Sequence, residues 1–374
     1  MNAQVAAALP FSIASRYSSR ESFSLPQIAL SASTPTIAAG TPVQIPAVGY
    51  LKKLRLRVKM TATGGTPALT ADAPFNVITS IALKNSAGQN LIAPLTGYEL
   101  YQYNKLAGMG QGYASAYGKL GDPKVGRGYV ATPASPEFFI DVPVELDPST
   151  GLGAIPALAS NRAYQLDISF AAISTVFGGT PPTAVTVSVT ATAHYWDVPV
   201  ASTPGGVAQS TEPFGLGTLS LMQKETANIS QGDQLTRFNN TGNVIRNLIL
   251  IARKADGSRT DVDLPTISEL YVDNNPMLRF GKAEWQDAMV RWYGLDAAAL
   301  DAAGGLDTGV MVIPFHLLAG GLSGDPSNAH AQFLATLDAT LLQFKGYDWG
   351  ANVSTLTVLT QAIASPNPQF IYSK

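Results

Sequence analysis

The chain repeats itself, and a repeat this long limits what it can fold into. Residues 96–101 read Thr-Gly-Tyr-Glu-Leu-Tyr and residues 266–271 read Thr-Ile-Ser-Glu-Leu-Tyr, the same Thr, Glu, Leu and Tyr 170 positions apart. In both, Thr stands three residues before Glu. That is capping-box spacing, in which the Thr oxygen accepts from a free backbone N–H and the Glu reaches back to another. A short helix is therefore expected to start at each. The flanks echo as well. Asn76-Val77-Ile78 returns as Asn243-Val244-Ile245, an offset of 167, and each opens an apolar run. The runs end in Asn85-Ser86-Ala87-Gly88 and Lys254-Ala255-Asp256-Gly257, whose glycines are 169 apart. Asn, Asp and Gly tolerate the positive φ of hairpin turns. Pro94 and Pro265, Pro143 and Pro314, and Leu166-Asp167 and Leu337-Asp338 are all 171 apart. The offset drifts only from 167 to 171, which reads as one module used twice.

A chain of 374 residues has room for two such modules, each long enough to bury a core. Charged residues are 13% of the chain, about half the usual share, while Gly (34) and Pro (25) are abundant. Low charge with many small residues suits a surface covered by neighbours and does not suit a disordered chain. The net charge of −2 supplies no global field for nucleic acid. With no Cys, disulfides, thiolate metal sites and Cys nucleophiles are excluded. The N-terminus lacks the basic start of a secretory signal, and the charge-free span 168–196 is broken by Gly178-Gly179-Thr180-Pro181-Pro182, so neither a signal peptide nor a membrane-spanning helix is expected.

Along the chain, the pattern divides into an N-terminal arm (1–22), a first β-domain (23–198), a Pro- and Gly-rich linker (199–213), a second β-domain (214–364) and a C-terminal tail (365–374). Leu54, Leu56, Val58 and Met60 alternate with Arg55, Arg57 and Lys59, the period of a half-buried strand. With Lys52 and Lys53 these cations form a basic stripe, to which Arg16 and Arg20 of the arm add. The stripe is either a solvated sheet face or a contact for anionic lipid or an acidic partner. A helix is expected over 96–106, stopped by Gly108, and the 108–130 loop is expected to carry function. Strands follow near 137–146, 162–171 and 184–197, and the second domain places strands near 215–222, 233–239, 244–253, 259–264, 308–315, 331–344 and 353–363. Without βαβ rhythm, the pattern is that of antiparallel sandwiches. A further helix, Lys282–Tyr293, is expected in the second copy alone. Its Trp285, Ala288, Met289 and Trp292 make one apolar stripe, packed on its own sheet or on a partner subunit. Phe11 and Tyr17 in the arm and Phe370, Ile371 and Tyr372 in the tail join Trp285, Met289 and Trp292 as candidate assembly contacts.

Catalytic constellations are sparse. His194, His316 and His330 stand far apart, none with a second His or a carboxylate at metal-ligand spacing. Gly108-Met109-Gly110-Gln111-Gly112 has the glycines of a phosphate loop at the wrong spacing and after a helix, and Gly321-Leu322-Ser323-Gly324 falls short of a nucleophile elbow. Asp256, Asp261, Asp263 and Asp273 are the best ion candidate, but no compact loop supplies the six to eight oxygens calcium takes. No catalytic, cofactor-binding or metal residue is assigned, and the chain is not read as an enzyme.

Two tandem sandwich modules, each with a helix in its crossover, flanked by short arms and poor in charge, resemble the double jelly-roll major capsid proteins. Those belong to tailless, membrane-containing icosahedral viruses of the tectivirus and corticovirus bacteriophage type. The resemblance spans nearly the whole chain and rests on the duplicated order of strands, turn, capped helix and loop (76–101 against 243–271) and on the paired Pro143 and Pro314 strands. It is architectural, and the short N-terminal arm departs from relatives that carry a longer helix there. What it implies is an all-β chain of two eight-stranded jelly rolls with short crossover helices. It further implies homotrimeric, pseudo-hexagonal capsomers in the capsid shell of a virion assembled in the host cytoplasm. The implied partners are the chain itself, neighbouring capsomers, penton and minor capsid proteins and an internal lipid membrane, with no sequence-specific nucleic acid and no cofactor. The competing reading is a carbohydrate-binding or carbohydrate-active β-sandwich, with Tyr98, Tyr101, Tyr103, Tyr113 and Tyr117 as a sugar platform. An outer-membrane barrel fits less well, given the missing signal and the amphipathic helices.

Overall fold

The computed structural model describes residues 8–106, 129–130, 132, 134–147, 149–159, 163–203, 205–293, 305–315 and 333–365. The first half opens with a single helical turn, α1 (Phe11–Ala14), and the strands β1 (Tyr17–Ser24), β2 (Ile28–Ala29), β3 (Thr36–Ile37), β4 (Val43–Gln44) and β5 (Gly49–Thr63). It continues through β6 (Thr66–Leu69), β7 (Ile78–Lys84), β8 (Asn90–Leu95), helix α2 (Gly97–Leu106), β9 (Glu137–Pro143) and β10 (Ile155–Ala157). Strand β11 (Gln165–Phe170), the turn α3 (Ile173–Val176), β12 (Phe177–Thr180) and β13 (Ala184–Trp196) close it. In one sheet β1 and β2 lie along one edge of β13, β13 pairs with β5, and β9 and β10 lie along the far edge of β5. In the opposing sheet β3 and β4 pair with β11, β11 with β7, and β7 with β8. The chain crosses between sheets as it advances, which is the winding of a jelly roll.

The alternation read from the sequence explains the sandwich. Leu54, Leu56, Val58 and Met60 of β5 and Val185, Val187, Val189, Ala191 and Ala193 of β13 are buried, while the intervening Arg, Lys, Thr and Ser residues face outward. Phe75 stacks on Tyr101 of α2 at 4.2 Å and meets Phe138 of β9 edge-on at 4.8 Å, tying the helix to both sheets.

The second half repeats the winding with β14 (Leu219–Asn228), β15 (Gly232–Phe238), β16 (Val244–Lys254), β17 (Ile267–Val272), β18 (Asn275–Gly281), helix α4 (Lys282–Tyr293), β19 (Val310–Pro314), β20 (Leu334–Ala335), β21 (Leu342–Trp349) and β22 (Val353–Ala364). One sheet runs β14, β22, β16, β19, and the other runs β15, β21, β17, β18. Position by position, β14 answers to β1, β15 to β3 and β4, β16 to β5, β17 to β7, β18 to β8, β19 to β9, β21 to β11 and β22 to β13. The all-β fold of two tandem eight-stranded jelly rolls with short crossover helices is therefore what the chain forms.

This correspondence corrects the register of the repeat. The second echo, 266–271, is not a helix start. Ile267–Val272 is strand β17, hydrogen-bonded to β18 on one side and β21 on the other. Thr266 donates its backbone N–H to the Tyr347 carbonyl, and Glu269 accepts from the Tyr271 and Tyr347 hydroxyls instead of capping anything. Two sheet neighbours and β-prone Ile, Tyr and Val outweigh a four-residue motif. Helix α4, expected as an addition to the second copy, is the counterpart of α2, since each links the roll's fifth strand, β8 or β18, to the strand ending in Pro143 or Pro314. The 243–245 echo likewise sets the start of β16 against the start of β7, although β16 answers to β5. The span 259–264, expected as a strand, is a turn region held by a single bridge between Arg253 and Arg259. The echo that holds is Pro143 with Pro314, the last residues of β9 and β19.

Candidate functional site

The two rolls meet in a buried joint, and helix α2 builds its centre. Here the capping box operates as read. Thr96 accepts the Glu99 N–H and Glu99 accepts the Thr96 N–H. This fixes the start of the helix and therefore which residues share a face. Tyr98, Gln102 and Lys105, spaced by four and three, line up toward the second roll. Tyr98 donates its hydroxyl to the Leu306 carbonyl at 2.8 Å, and Gln102 donates to the same oxygen at 2.6 Å. Lys105, almost wholly buried, reaches both carboxylate oxygens of Asp307 at 2.6 Å. The second oxygen of Glu99 pairs with Lys224 of β14 at 2.6 Å.

A second set of charges closes the joint from the other side. Asp72 receives Arg253 and Arg259, each at 2.8 Å, and both guanidinium groups lie over the Tyr98 ring, at 5.2 and 4.5 Å from its centre. Arg259 spreads its remaining donors over the carbonyls of Ala71, Gly305, Leu306 and Thr308. Burial pushes the Tyr98 hydroxyl well above its usual range and lowers Arg246, which lies near the buried Tyr103 and Tyr293. Beneath the charges, the free edge of β8 meets β14 at one parallel step, Ile92 beside Met222, so a single sheet continues from one roll into the other. The donor forks and the bidentate lysine make the angle between the rolls specific rather than merely sticky.

Sequence spacing marks none of these residues as a contact between the rolls. The available signal is a polar stripe, Tyr-x-x-x-Gln-x-x-Lys, on a capped helix in a charge-poor chain. The partners Asp307 and Asp72 lie too far off in sequence for spacing to find them.

The predicted assembly contacts divide. Phe11, Trp285 and Met289 are turned inward, which removes them as contacts to a neighbour. Phe11 packs edge-on against Tyr50 and Trp196, at 5.2 and 6.1 Å between ring centres. Trp285 donates its indole N–H to the Val312 carbonyl at 3.0 Å, and Met289 is 1% exposed. The apolar stripe of α4 thus covers its own sheet. Tyr17 remains half exposed, stacked on His194, whose Nδ1 meets its hydroxyl. The Trp292 side chain and residues 370–372 lie outside the described residues. Residues 8–22 of the expected arm are built into the first roll through α1 and β1.

The basic stripe finds acids within its own chain. Lys53 and Arg57 of β5 pair with Asp141 and Glu137 of the neighbouring β9 at 2.7 and 2.6 Å, Arg55 lies 3.8 Å from Asp141, and Lys52 lies 3.5 Å from Glu145. Arg20 lies 3.5 Å from Asp197. Arg16 and Lys59 are exposed. Lys52 also lies 3.6 Å over the Trp196 ring, and Trp196 donates to Glu145. Burial raises the Glu145 carboxyl to about 7 and lowers Lys52 from its usual value. Spacing does not reveal this cluster either, because Glu145 gives no local sign that its partners are Lys52 and Trp196.

The sugar platform is lost from its described members, since Tyr98, Tyr101 and Tyr103 are each at most 1% exposed; Tyr113 and Tyr117 lie outside the described residues. The aspartates of the ion candidate are taken up separately. Asp256 accepts from Ser258, Asp261 from the Gly309 N–H, Asp263 from Asn352, and Asp273 from Thr340 and Leu341. Among the described residues no group of three or more His, Cys, Asp or Glu is placed to hold a metal ion, and no helix is long and apolar enough to cross a membrane. His316, His330 and most of the 108–130 loop lie outside the described residues.

No protein-family model matches the sequence, and no curated protein matches it. Solved structures do. The major capsid protein of Sulfolobus turreted icosahedral virus superposes with a TM-score of 0.62 at 12% identity, over 96% of this chain and 100% of that one. The PBCV-1 virus capsid structure gives 0.55 at 11% identity, over 93% and 94%. The Faustovirus major capsid protein gives 0.51 at 8% identity, over 94% and 90%. At such identity the likeness is one of fold. It covers both rolls in tandem, so the chain has the double jelly-roll architecture of these major capsid proteins.

Proposed function

We propose that this chain is a structural major capsid protein that forms homotrimeric, pseudo-hexagonal capsomers in the shell of an icosahedral virion. The observation that carries the reading is the joint. Two rolls of the same winding are held edge to edge by a shared sheet and a buried set of ion pairs, so one chain is a joined pair of rolls. Three such pairs around an axis place six rolls in a ring, a shape that tiles. Chains of this fold with such names as neighbours support the same reading. On it the chain is not an enzyme. Its partners are itself, adjacent capsomers, and the penton and minor proteins of a tailless bacteriophage assembled in the host cytoplasm, with an internal lipid membrane beneath. The division between a first roll ending at 198 and a second at 214–364, and the tail at 365–374 as a tie between capsomers, belong to this proposal, with residues 8–22 counted in the first roll.

The test is the mass of the purified chain by light scattering, followed by electron microscopy of its native source. Three chains per particle in solution and shells of regular outline are expected. A stable monomer at high concentration would refute the proposal.

A further inference from the structure

Helices α2 and α4 start alike and differ at their seventh residue. Each is capped by the glutamate at its third position, Glu99 on the Thr96 N–H and Glu284 on the Gly281 N–H, which sets the two helices in register. The seventh residue of α2 is Tyr103, 1% exposed, its ring packed in the joint near Ser220 and Arg246. The seventh residue of α4 is Ala288. Over Ala288 an apolar slot of about 130 Å³ opens between β18, α4 and β19, walled by Leu278, Phe280, Trp285, Ile313 and Pro314. Arg279 and Glu284, both exposed, complete the lining. An apolar cavity of about 150 Å³ takes benzene, so this slot has the size of one phenyl ring. Its walls suit a ring without a hydroxyl, because a buried phenol needs a hydrogen-bond partner.

Such a ring stands in the tail. Residues 365–374 read Ser-Pro-Asn-Pro-Gln-Phe-Ile-Tyr-Ser-Lys, with Phe370 five residues past Ser365. The chain's own slot is badly placed for it. Ile313 lies beside Leu248, and Leu248 beside Thr360, so the slot is two strands across from β22 and five residues behind Ser365, about 19 Å away. From Thr360 to Ala364, β22 runs away from that level. Thr218 then meets the Ser365 hydroxyl at 3.0 Å, on the β14 side of β22 and away from β19. Five residues span at most about 18 Å, and a tail seeking its own slot must also turn back.

We infer that Phe370 of one chain seats in the slot over Ala288 of a second copy. The inference rests on the capsid reading and names the place where the tail ties one capsomer to the next. Pro366 and Pro368 make the start of the tail a stiff, extended spacer, suited to carrying Phe370 away from the chain that bears it. Each tie buries little more than one ring, and the many ties of a shell act together.

The probe is a fluorescein-labelled peptide of residues 365–374, added to the full-length Phe370→Ser chain so that its own tails do not compete. A saturable rise in anisotropy is expected. Phe370→Ser in the peptide should weaken binding about tenfold or more, the loss of one buried ring. Ala288→Trp in the chain, which fills the slot, should weaken it to the same extent with the thermal melt unchanged. The chain has no native Cys, so engineered thiols report the geometry. A Phe370→Cys chain mixed with an Ala288→Cys chain is expected to give a disulfide-linked pair. A peptide that does not bind, or that binds the Phe370→Ser and Ala288→Trp forms as well as the parent, would overturn the seat. Three-chain particles and regular shells seen alongside that result would leave the capsid reading standing. An internal disulfide in the Phe370→Cys, Ala288→Cys double variant at high dilution would place the ring in its own slot and would also overturn the inference. A stable monomer that still binds the peptide through Phe370 would support the seat and refute the capsid reading alone.

Discussion

Replacing Lys105 by Met tests whether the joint is held by desolvated charge. Lys105 and Asp307 are both within a tenth of full burial as residues, and their ion pair at 2.6 Å spans the two rolls. Methionine keeps the stem's volume and removes the ammonium, which leaves a buried carboxylate without its counterion. Removing one member of a buried pair costs about 3–5 kcal/mol, most of it the stranded charge. For a unit of this size each kcal/mol lowers Tm by roughly 2–4 °C, so a fall on the order of 10 °C is expected by calorimetry at fixed protein concentration. Asp307→Leu alone should cost a similar amount by stranding Lys105. The double variant should recover most of the loss, because a buried pair exchanged for apolar groups of like volume is often neutral. A double variant whose cost is the sum of the singles, or singles within about 0.5 kcal/mol of the parent, would refute the buried pair as the joint's clamp.

Thr96→Ala removes a working cap and should destabilise by about 1 kcal/mol, whereas Thr266→Ala, whose Thr caps nothing, should stay within about 0.5 kcal/mol; urea midpoints compare them. Gly97→Ala should destabilise more than a helix propensity scale suggests, because a Cβ there would sit 2.0 Å from the Phe75 carbonyl oxygen; a neutral or stabilising result would contradict the close packing of α2. The Glu145 carboxyl, raised from 4.5 to about 7, holds a proton in the native chain that the unfolded chain releases between those values. Its contribution is thus fully present below pH 4.5 and is lost as pH rises through about 7, amounting to up to about 3 kcal/mol. Glu145→Gln should flatten the fall in stability across that window, and an unchanged slope would show that burial does not govern this group.

Local pattern carried as far as local physics did. The period-2 alternation of β5 named its inward residues correctly, because a strand buried on one face needs apolar residues at every second position whatever it pairs with. The cap at Thr96 was legible, and so was the duplication. The register of the duplication was not. Loops and hairpins of unequal length move the true spacing between equivalent strands, so an offset held near 170 matched β16 to β7 and made β17 a helix. The same four residues, Thr, Glu, Leu and Tyr, are a helix start at 96–101 and a strand at 266–271, and the neighbours of β17 decide which.

The sequence by itself determined that the chain is β-rich, double, cysteine-free, poor in charge and capped at 96. These follow from composition and from residue spacings of two to four, which act within one element. Only the tertiary structure decided that α4 is the twin of α2, that the basic stripe of β5 faces the acids of β9, and that Lys105, Arg253 and Arg259 close a buried joint. Each of those side-chain contacts depends on partners between about 80 and 200 residues away in the chain. At such separations spacing carries no geometric information, and the folded path of two jelly rolls supplies it.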